Sequence, residues 1–549
     1  MHVARILASI TRIYVVAVIL LWGAPTWAAV PAEPIPSDPE LEQSGAVIGE
    51  VLIDNQNIFN LNDPREDTKL FRLANHLHPR TREYVIRAQL LFRPGDRYSR
   101  HTLEESARIL RRERYFYDAW IEPVRFHDGK VDVRVTTRDV WTLNPGVSFG
   151  RSGGKNSSGF ELEELNIFGS GAQVAVSHKT SVDRTTDMYS VGDPHAFGSW
   201  VSVFADYSNN SDGTLRQIAV DRPFYALDVR HAGGISAFDD LQTDSLYDRG
   251  QIVDKFQDQA RFASGYIGFS SGLHDGWVRR WRFGATYDEH EFAAQPTWTG
   301  TTLIPEDRKF VYPWVQLDLI QDDFLKYRNY NQIERTEDFY LGNSFSLRMG
   351  WADSAYGSSR SALLFQGRAS QGLWATDRTT VLASETYSGR VESGALRNAI
   401  FDGHIQYYVK QTENWLFFTT LDGTLARNLD LDTQLLLGGD NGLRGYPLRY
   451  QGGDARALFT VEQRYFTDWY PFRLFRVGAA VFFDAGRTWG SAPVASQSLG
   501  VLKDAGIGLR IGNSRSGLGN IIHVDIAFPF DGDNSIKRVQ FIVQTKQSF

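Results

Sequence analysis

Arg444 is the side chain whose setting most directly implies chemistry. It sits in Gly438-Gly439-Asp440-Asn441-Gly442-Leu443-Arg444-Gly445-Tyr446-Pro447, where four glycines and a proline in ten residues specify a loop. Glycine reaches backbone angles that other residues reach only at a cost. On composition alone a solvated surface loop fits this run equally well. Downstream, Phe475 to Gly486 places apolar residues at its odd positions and Arg476, Asp484 and Gly486 on the other face, the alternation of a strand with one greasy and one polar side. Ala457 to Tyr465 does the same: Ala457, Phe459, Val461 and Tyr465 share one face, Gln463 is the exception, and Glu462 and Arg464 take the other. A guanidinium near such carboxylates in a confined interior forms charge-assisted hydrogen bonds stronger than those on an open surface.

Catalytic patterns are poorly supported by their surroundings. Gly150-Arg151-Ser152-Gly153-Gly154 and Gly268-Phe269-Ser270-Ser271-Gly272 fit Gly-x-Ser-x-Gly by letter. A nucleophile elbow needs a helix straight after the serine, which neither run has, so both are expected to be turns. Asp288-Glu289-His290-Glu291 has metal-ligand composition, but strand neighbours face opposite sides and cannot converge, so an exposed polar loop is expected. His76, His78 and His101 are expected on a module surface. No His-Glu-x-x-His or glycine-rich phosphate loop occurs. The expectation is of no catalytic residue, no cofactor and no metal.

The 549 residues contain no Cys, which excludes disulfides, thiolate metal sites, Cys nucleophiles and a lipid-anchor Cys. The formal charge of -7 and the lack of a basic arm give no reason to expect nucleic acid as a partner. Arg5 and Arg12 precede an apolar run from Ile13 to Trp22, and Thr26-Trp27-Ala28 offers small residues for cleavage. This predicts a signal peptide over 1–28, since a membrane helix needs about 20 apolar residues. A mean hydropathy of -0.32 does not exclude a membrane barrel, whose alternating strands hide their hydrophobicity from averaging.

Pro31, Pro34, Pro36 and Pro39 predict an extended linker over 29–45. Over 46–138 a strand from Val47 to Ile53 is followed by helical spacing over Arg65 to Leu77 and Arg80 to Phe92. A further helix starts at a capping box, Thr102-Leu103-Glu104-Glu105. Tyr115 to Val124 and Lys130 to Thr137 form a hairpin around His127-Asp128-Gly129. Arg108, Arg111, Arg112 and Arg114 are expected to make a solvated helix face. From 140 to 549 the chain becomes strands and turns, among them Trp200 to Tyr207, Phe339 to Trp351, Ala362 to Leu373 and Trp415 to Leu425. The strand tally is about twenty.

The loop and its strands resemble the signature of the BamA-type outer-membrane insertase and two-partner-secretion superfamily. In that signature a Val-Arg-Gly-Phe/Tyr loop folds back into a barrel and its Arg meets an acidic residue on an inward strand. Here Leu443-Arg444-Gly445-Tyr446 carries Leu for Val, Asp484 in the Phe-Asp-Ala-Gly run matches the lumen acid, and Glu462 matches the other inward acid. Strand, two helices and two strands over 46–138 resemble a polypeptide-transport-associated (POTRA) domain, the helix at Arg65 to Leu77 being one more than needed.

The resemblance implies a mainly β protein: a transmembrane antiparallel barrel of about sixteen strands, up to twenty, preceded by one small α+β POTRA-like domain of βααββ order. Sixteen strands plus extramembrane extensions are favoured. It implies a loop brace made by Arg444, Gly445, Tyr446, Asp484 and Glu462. It also implies a lateral seam between Thr142 to Gly150 and Val539 to Phe549, with Phe149, Val543 and Phe549 along it. The implied setting is the cell outer membrane, with the POTRA-like domain in the periplasm. The implied work is non-catalytic assembly of membrane proteins or translocation of polypeptide. The implied partners are an unfolded or secreted polypeptide client, outer-membrane lipid and a periplasmic chaperone. A substrate-specific or passive pore and a haemolysin-type exporter are the alternatives.

Overall fold

The computed structural model describes residues 34–300, 302–491, 494, 499–517, 519–534, 536–546 and 548–549. The expected signal peptide, the first part of the expected linker and Gln547 lie outside them. Two compact units are formed, one from 34–52, 92–100 and 122–134, the other from 53–91, 101–121 and 135–549.

In the smaller unit the end of the expected linker is not extended: α1 spans Asp38–Gln43. Ser37-Asp38-Pro39-Glu40 is a helix start, with proline in the first turn where its missing N–H costs nothing, and Glu40 accepts the Ser37 backbone N–H at 2.8 Å. Asp132 is the polar anchor of this unit, accepting the Glu50 N–H at 2.7 Å and Arg125 Nε at 2.6 Å.

The chain then runs β1 (Val47–Gln56), α2 (Lys69–Leu77), α3 (Glu83–Ala88), α4 (Arg100–Arg112), β2 (Phe116–His127) and β3 (Lys130–Asp139), with sheet order β1-β3-β2. The region expected to be supernumerary is thus a true helix, shorter than its periodicity indicated. The capping box at Thr102 is not formed, because α4 already begins at Arg100. Glu105 instead accepts the backbone N–H of Leu227 at 2.8 Å.

Twenty strands of the larger unit close into one antiparallel barrel, from β4 (Leu143–Ser152) to the strand Gln540–Lys546. The favoured count of sixteen is therefore corrected. Arg308–Gln321, Ser344–Ala352, Ala362–Ala375, Thr379–Glu392 and Ala395–Lys410 all pair in the wall rather than forming external hairpins. Extensions exist as well, within the wall strands themselves. Gln251–His274 has 24 residues, which at about 3.4 Å each far exceeds a hydrocarbon core of about 30 Å. We call the barrel end where β4 begins the near end and the opposite one the far end.

Side chains alternate as a membrane barrel requires: Trp277, Trp281 and Phe283 are exposed on the outer face, while Val278 and Arg280 are buried between them in sequence. No helix among the described residues is long and apolar enough to cross a membrane.

Two expected features change place. Phe339 to Trp351 is not one strand: Thr336–Tyr340 pairs with Phe324–Arg328 in a separate hairpin, and Ser344–Ala352 belongs to the wall. The break falls at Gly342, where a Cβ would stand 2.5 Å from the Gln321 carbonyl oxygen. Gly268 to Gly272 is not a turn but part of the strand Gln251–His274, interrupted by a bulge after Ser270. Gly153 and Gly154 do form a turn, both at positive φ.

Candidate functional site: the braced lumen

The far-end loop 428–454 closes on a short ribbon in which Leu435–Leu437 pairs with Gln451–Gly453. Its tip turns into the barrel and is held by apolar packing of Leu437, Leu443, Tyr446, Tyr450, Leu458 and Leu502. Gly445 is required there, because a Cβ would come within 2.6 Å of the Asp504 side chain. The Tyr446 hydroxyl donates to the Lys503 carbonyl at 2.8 Å and accepts the Lys503 N–H at 3.1 Å.

Arg444, 6% exposed, reaches the wall from this tip. Its Nε and Nη2 donate to the two oxygens of Asp484 at 2.7 and 2.8 Å, and Nη1 donates to Glu462 Oε1 at 2.8 Å. The guanidinium also lies over the Phe482 ring, 3.4 Å from its centroid. This is the bidentate fork geometry that distinguishes arginine from lysine. Glu462 takes Arg464 Nε on its second oxygen at 2.9 Å, and Asp484 takes the Thr460 hydroxyl at 2.8 Å. Asp504 lies directly across the ladder from Asp484, fully buried, with no hydrogen bond to either carboxylate oxygen.

The lumen is also filled from the near end, which the sequence did not reveal. The hairpin 322–343 inserts Tyr330, Ile333 and Phe339 among Tyr408, Phe418 and Phe466. Arg464 links the two insertions, donating from Nη1 to the Tyr330 carbonyl at 3.0 Å while bound to Glu462. Phe549 joins this cluster, its ring 4.5 Å from that of Phe466 and its N–H donating to the Asn331 carbonyl at 2.7 Å. It is thus inside the lumen, not on the seam where it was expected, because the chain turns inward after the strand Gln540–Lys546.

Of the four arginines expected to make a solvated face, Arg112 is exposed as expected, but Arg108 and Arg111 are buried, and Arg114 lies just past the end of α4. Arg111 binds both oxygens of Asp338 in the hairpin at 2.6 and 2.7 Å and the Ala119 carbonyl at 2.7 Å, and Arg114 forks onto Glu163 at 2.8 and 3.0 Å. His78 is buried rather than on a surface, 3.1 Å from Asp139. His290 is on a wall strand rather than a loop, 3.0 Å from Asp258.

Arg111→Ala removes three donors and leaves Asp338 without them. About 1.5–3 kcal/mol of hairpin anchoring is expected to be lost, read as faster proteolysis within 322–343.

His101, also expected on a surface, meets Asp322 at 2.6 Å, and both lie outside the wall strands. This hydrogen bond raises the His101 pKa above its ordinary 6.5 against partial burial, and lowers that of Asp322 below 3.8. The histidine's contribution is fully present below its unfolded value and is lost as pH rises through the raised one; the carboxylate's is lost as pH falls through its lowered one. Proteolysis of the hairpin is expected to accelerate as pH rises above neutrality, and to lose that dependence in His101→Ala.

At the seam, among the described residues, Gln540–Lys546 pairs with Ile521–Pro529 over seven residues but with β4 only at Val543 and Arg151. Phe149 is exposed on β4, one residue before Gly150, where a Cβ would lie 3.5 Å from the Val543 carbonyl. Below the seam, Trp141 bypasses the last strand, its N–H donating to the Arg515 carbonyl at 2.6 Å.

Fold and site together define a membrane-spanning antiparallel β-barrel whose lumen is occupied by its own loops and braced by a buried arginine. Residues 371–546 match the Omp85 superfamily domain. The chain is an outer-membrane β-barrel protein carrying that domain. Among solved structures it is similar to BamA from Haemophilus ducreyi lacking POTRA domains 1-3, at 14% identity over 91% of this chain and 85% of that one, TM-score 0.40. It is also similar to CdiB from Acinetobacter baumannii, at 12% identity over 92% and 74%, TM-score 0.43. For CdiB from Escherichia coli the values are 12% over 92% and 77%, TM-score 0.47. No curated protein matches the sequence.

Proposed function

We propose that this protein is a non-catalytic factor that inserts proteins into the outer membrane or passes polypeptide across it. The observation that carries this reading is the seam, where among the described residues the last strand has one paired residue on one side and seven on the other. A strand edge so poorly paired leaves backbone donors and acceptors that an incoming strand can take up. In this reading Phe149 and Val543 border the opening, and Arg444, Asp484 and Glu462 hold the loop that braces the wall beside it. The lumen, filled from both ends, supports a gated device over a passive pore.

We further assign 46–138 as a POTRA-like domain in the periplasm, offering a sheet edge to an extended client delivered by a chaperone. The test is reconstitution of the full chain in liposomes with an unfolded barrel protein or a secreted polypeptide. Faster insertion or passage than in empty liposomes is expected. No effect on either client, together with a large steady conductance, overturns the proposal in favour of a pore.

A further inference from the structure

One face of α4 carries Glu105, Arg108 and Arg112, and it closes one side of a cavity of about 490 Å³ in the near-end lumen. Arg280 and Arg282 line it from the strand Trp277–Ala294, and Arg368 from Ala362–Ala375. Five guanidinium groups therefore face three carboxylates, Glu105, Asp318 and Glu385. Two of the three are already engaged: Glu105 by the Leu227 N–H, and Asp318 by Gln316 Nε2 and the Ser346 hydroxyl at 2.8 and 2.7 Å.

Asp318 Oδ2 makes no hydrogen bond and lies 3.4 Å from Arg282 Nη2, and Arg108 reaches Asp322 only at 3.9 Å, so the cations are partly balanced but incompletely hydrogen-bonded. Arg280 is only 7% exposed, and although its Nη2 donates to the Ala226 carbonyl at 2.8 Å, its Nε is buried without a partner. Arg282 Nε is likewise buried and unpartnered. Both guanidinium groups lean on the Phe224 ring, 4.7 and 5.6 Å from its centroid, which fixes them side by side. Arg112 and Arg368 are exposed and carry no hydrogen bond or ion pair among the described residues.

We propose that this cavity binds a phosphate-bearing anion, free or as the headgroup of a lipid. Unpaired donors in a confined site are costly, and neighbouring like charges repel, so a bridging anion relieves both. A carboxylate presents one edge and suits one guanidinium fork. Here forks converge from two wall strands and a helix, the arrangement that a tetrahedral anion with oxygens in several directions satisfies. Phe224, Ile109 and Ile320 in the same cavity give an ester's carbon body apolar contact.

The test titrates the full chain, in a phosphate-free maltoside detergent at low ionic strength, with inorganic pyrophosphate, using calorimetry and thermal unfolding. Saturable binding is expected, weakened about a hundredfold in the Arg112→Gln/Arg368→Gln variant, the loss of two charge-assisted contacts at about tenfold each. Both positions are exposed, so the fold is retained, and heat-shifted electrophoretic mobility verifies this. Dihexanoyl phosphatidylglycerol forms a second arm: competition with pyrophosphate identifies a lipid headgroup, and its absence a soluble phosphate. An acidic glutamate peptide forms the third. No saturable pyrophosphate binding, equal binding by wild type and variant, or binding of the peptide alone overturns the proposal.

Discussion

Arg444→Ala is expected to release the far-end loop and open the lumen. The substitution removes one cation from between Asp484 and Glu462 and leaves both carboxylates buried beside Asp504, which has no hydrogen bond of its own. Breaking a buried pair by deleting one member typically costs about 3–5 kcal/mol, because the remaining charge has lost water and gained nothing. The loop is expected to become susceptible to protease, single-channel conductance to rise, and any client activity to fall. Arg444→Lys keeps the charge but loses the fork onto Asp484, so it should fall between wild type and alanine. Wild-type protease resistance and conductance in the alanine variant would show that apolar packing alone holds the tip.

Closing the seam covalently should abolish client handling. The sequence has no cysteine, so Arg151→Cys/Val543→Cys introduces a single possible disulfide. These two residues face each other in an antiparallel pair, where Cα atoms stand about 4.5–5.5 Å apart, inside the range a disulfide spans. The oxidised variant is expected to match empty liposomes in an insertion or passage assay, and reduction to restore the wild-type rate. The fold should be unaffected, since the bond joins strands that already touch. Full activity with the bond intact would mean that clients do not pass through or template on this edge.

The brace residues were legible in the sequence because two local signals met. Glycine density marked the loop around Arg444, alternation broken only at a few positions such as Gln463 placed Glu462 and Asp484 on the inner face of their strands, and the family resemblance implied their pairing. Neither signal depends on distant contacts. Arg111 and Arg114 show the opposite case. Arg108, Arg111 and Arg114 fit a solvated helix face by spacing, and the acids that bind Arg111 and Arg114, Asp338 and Glu163, are separated from them by 227 and 49 positions with no local cue. The tally of about twenty strands holds, but the favoured wall of sixteen did not, because alternation marks a strand without saying whether it pairs in the wall or stands outside it. Phe549 was misplaced because an aromatic at that position fits a wall strand, whereas its ring packs on Phe466 inside the lumen. The hairpin 322–343 was hidden because Phe339-Tyr340-Leu341 and the alternating residues from Ser344 to Trp351 read as one strand across the break at Gly342.

Hydrogen exchange of the loop amides in the wild-type barrel tests the brace most directly, because it requires no substitution and no client. With the tip locked by Arg444 on Asp484 and Glu462, the N–H groups of Gly439, Leu443 and Tyr446, each bonded to a backbone carbonyl within the loop, should exchange as slowly as those of the neighbouring wall strands. Exchange of these three amides at the rate of an open surface loop would contradict the account.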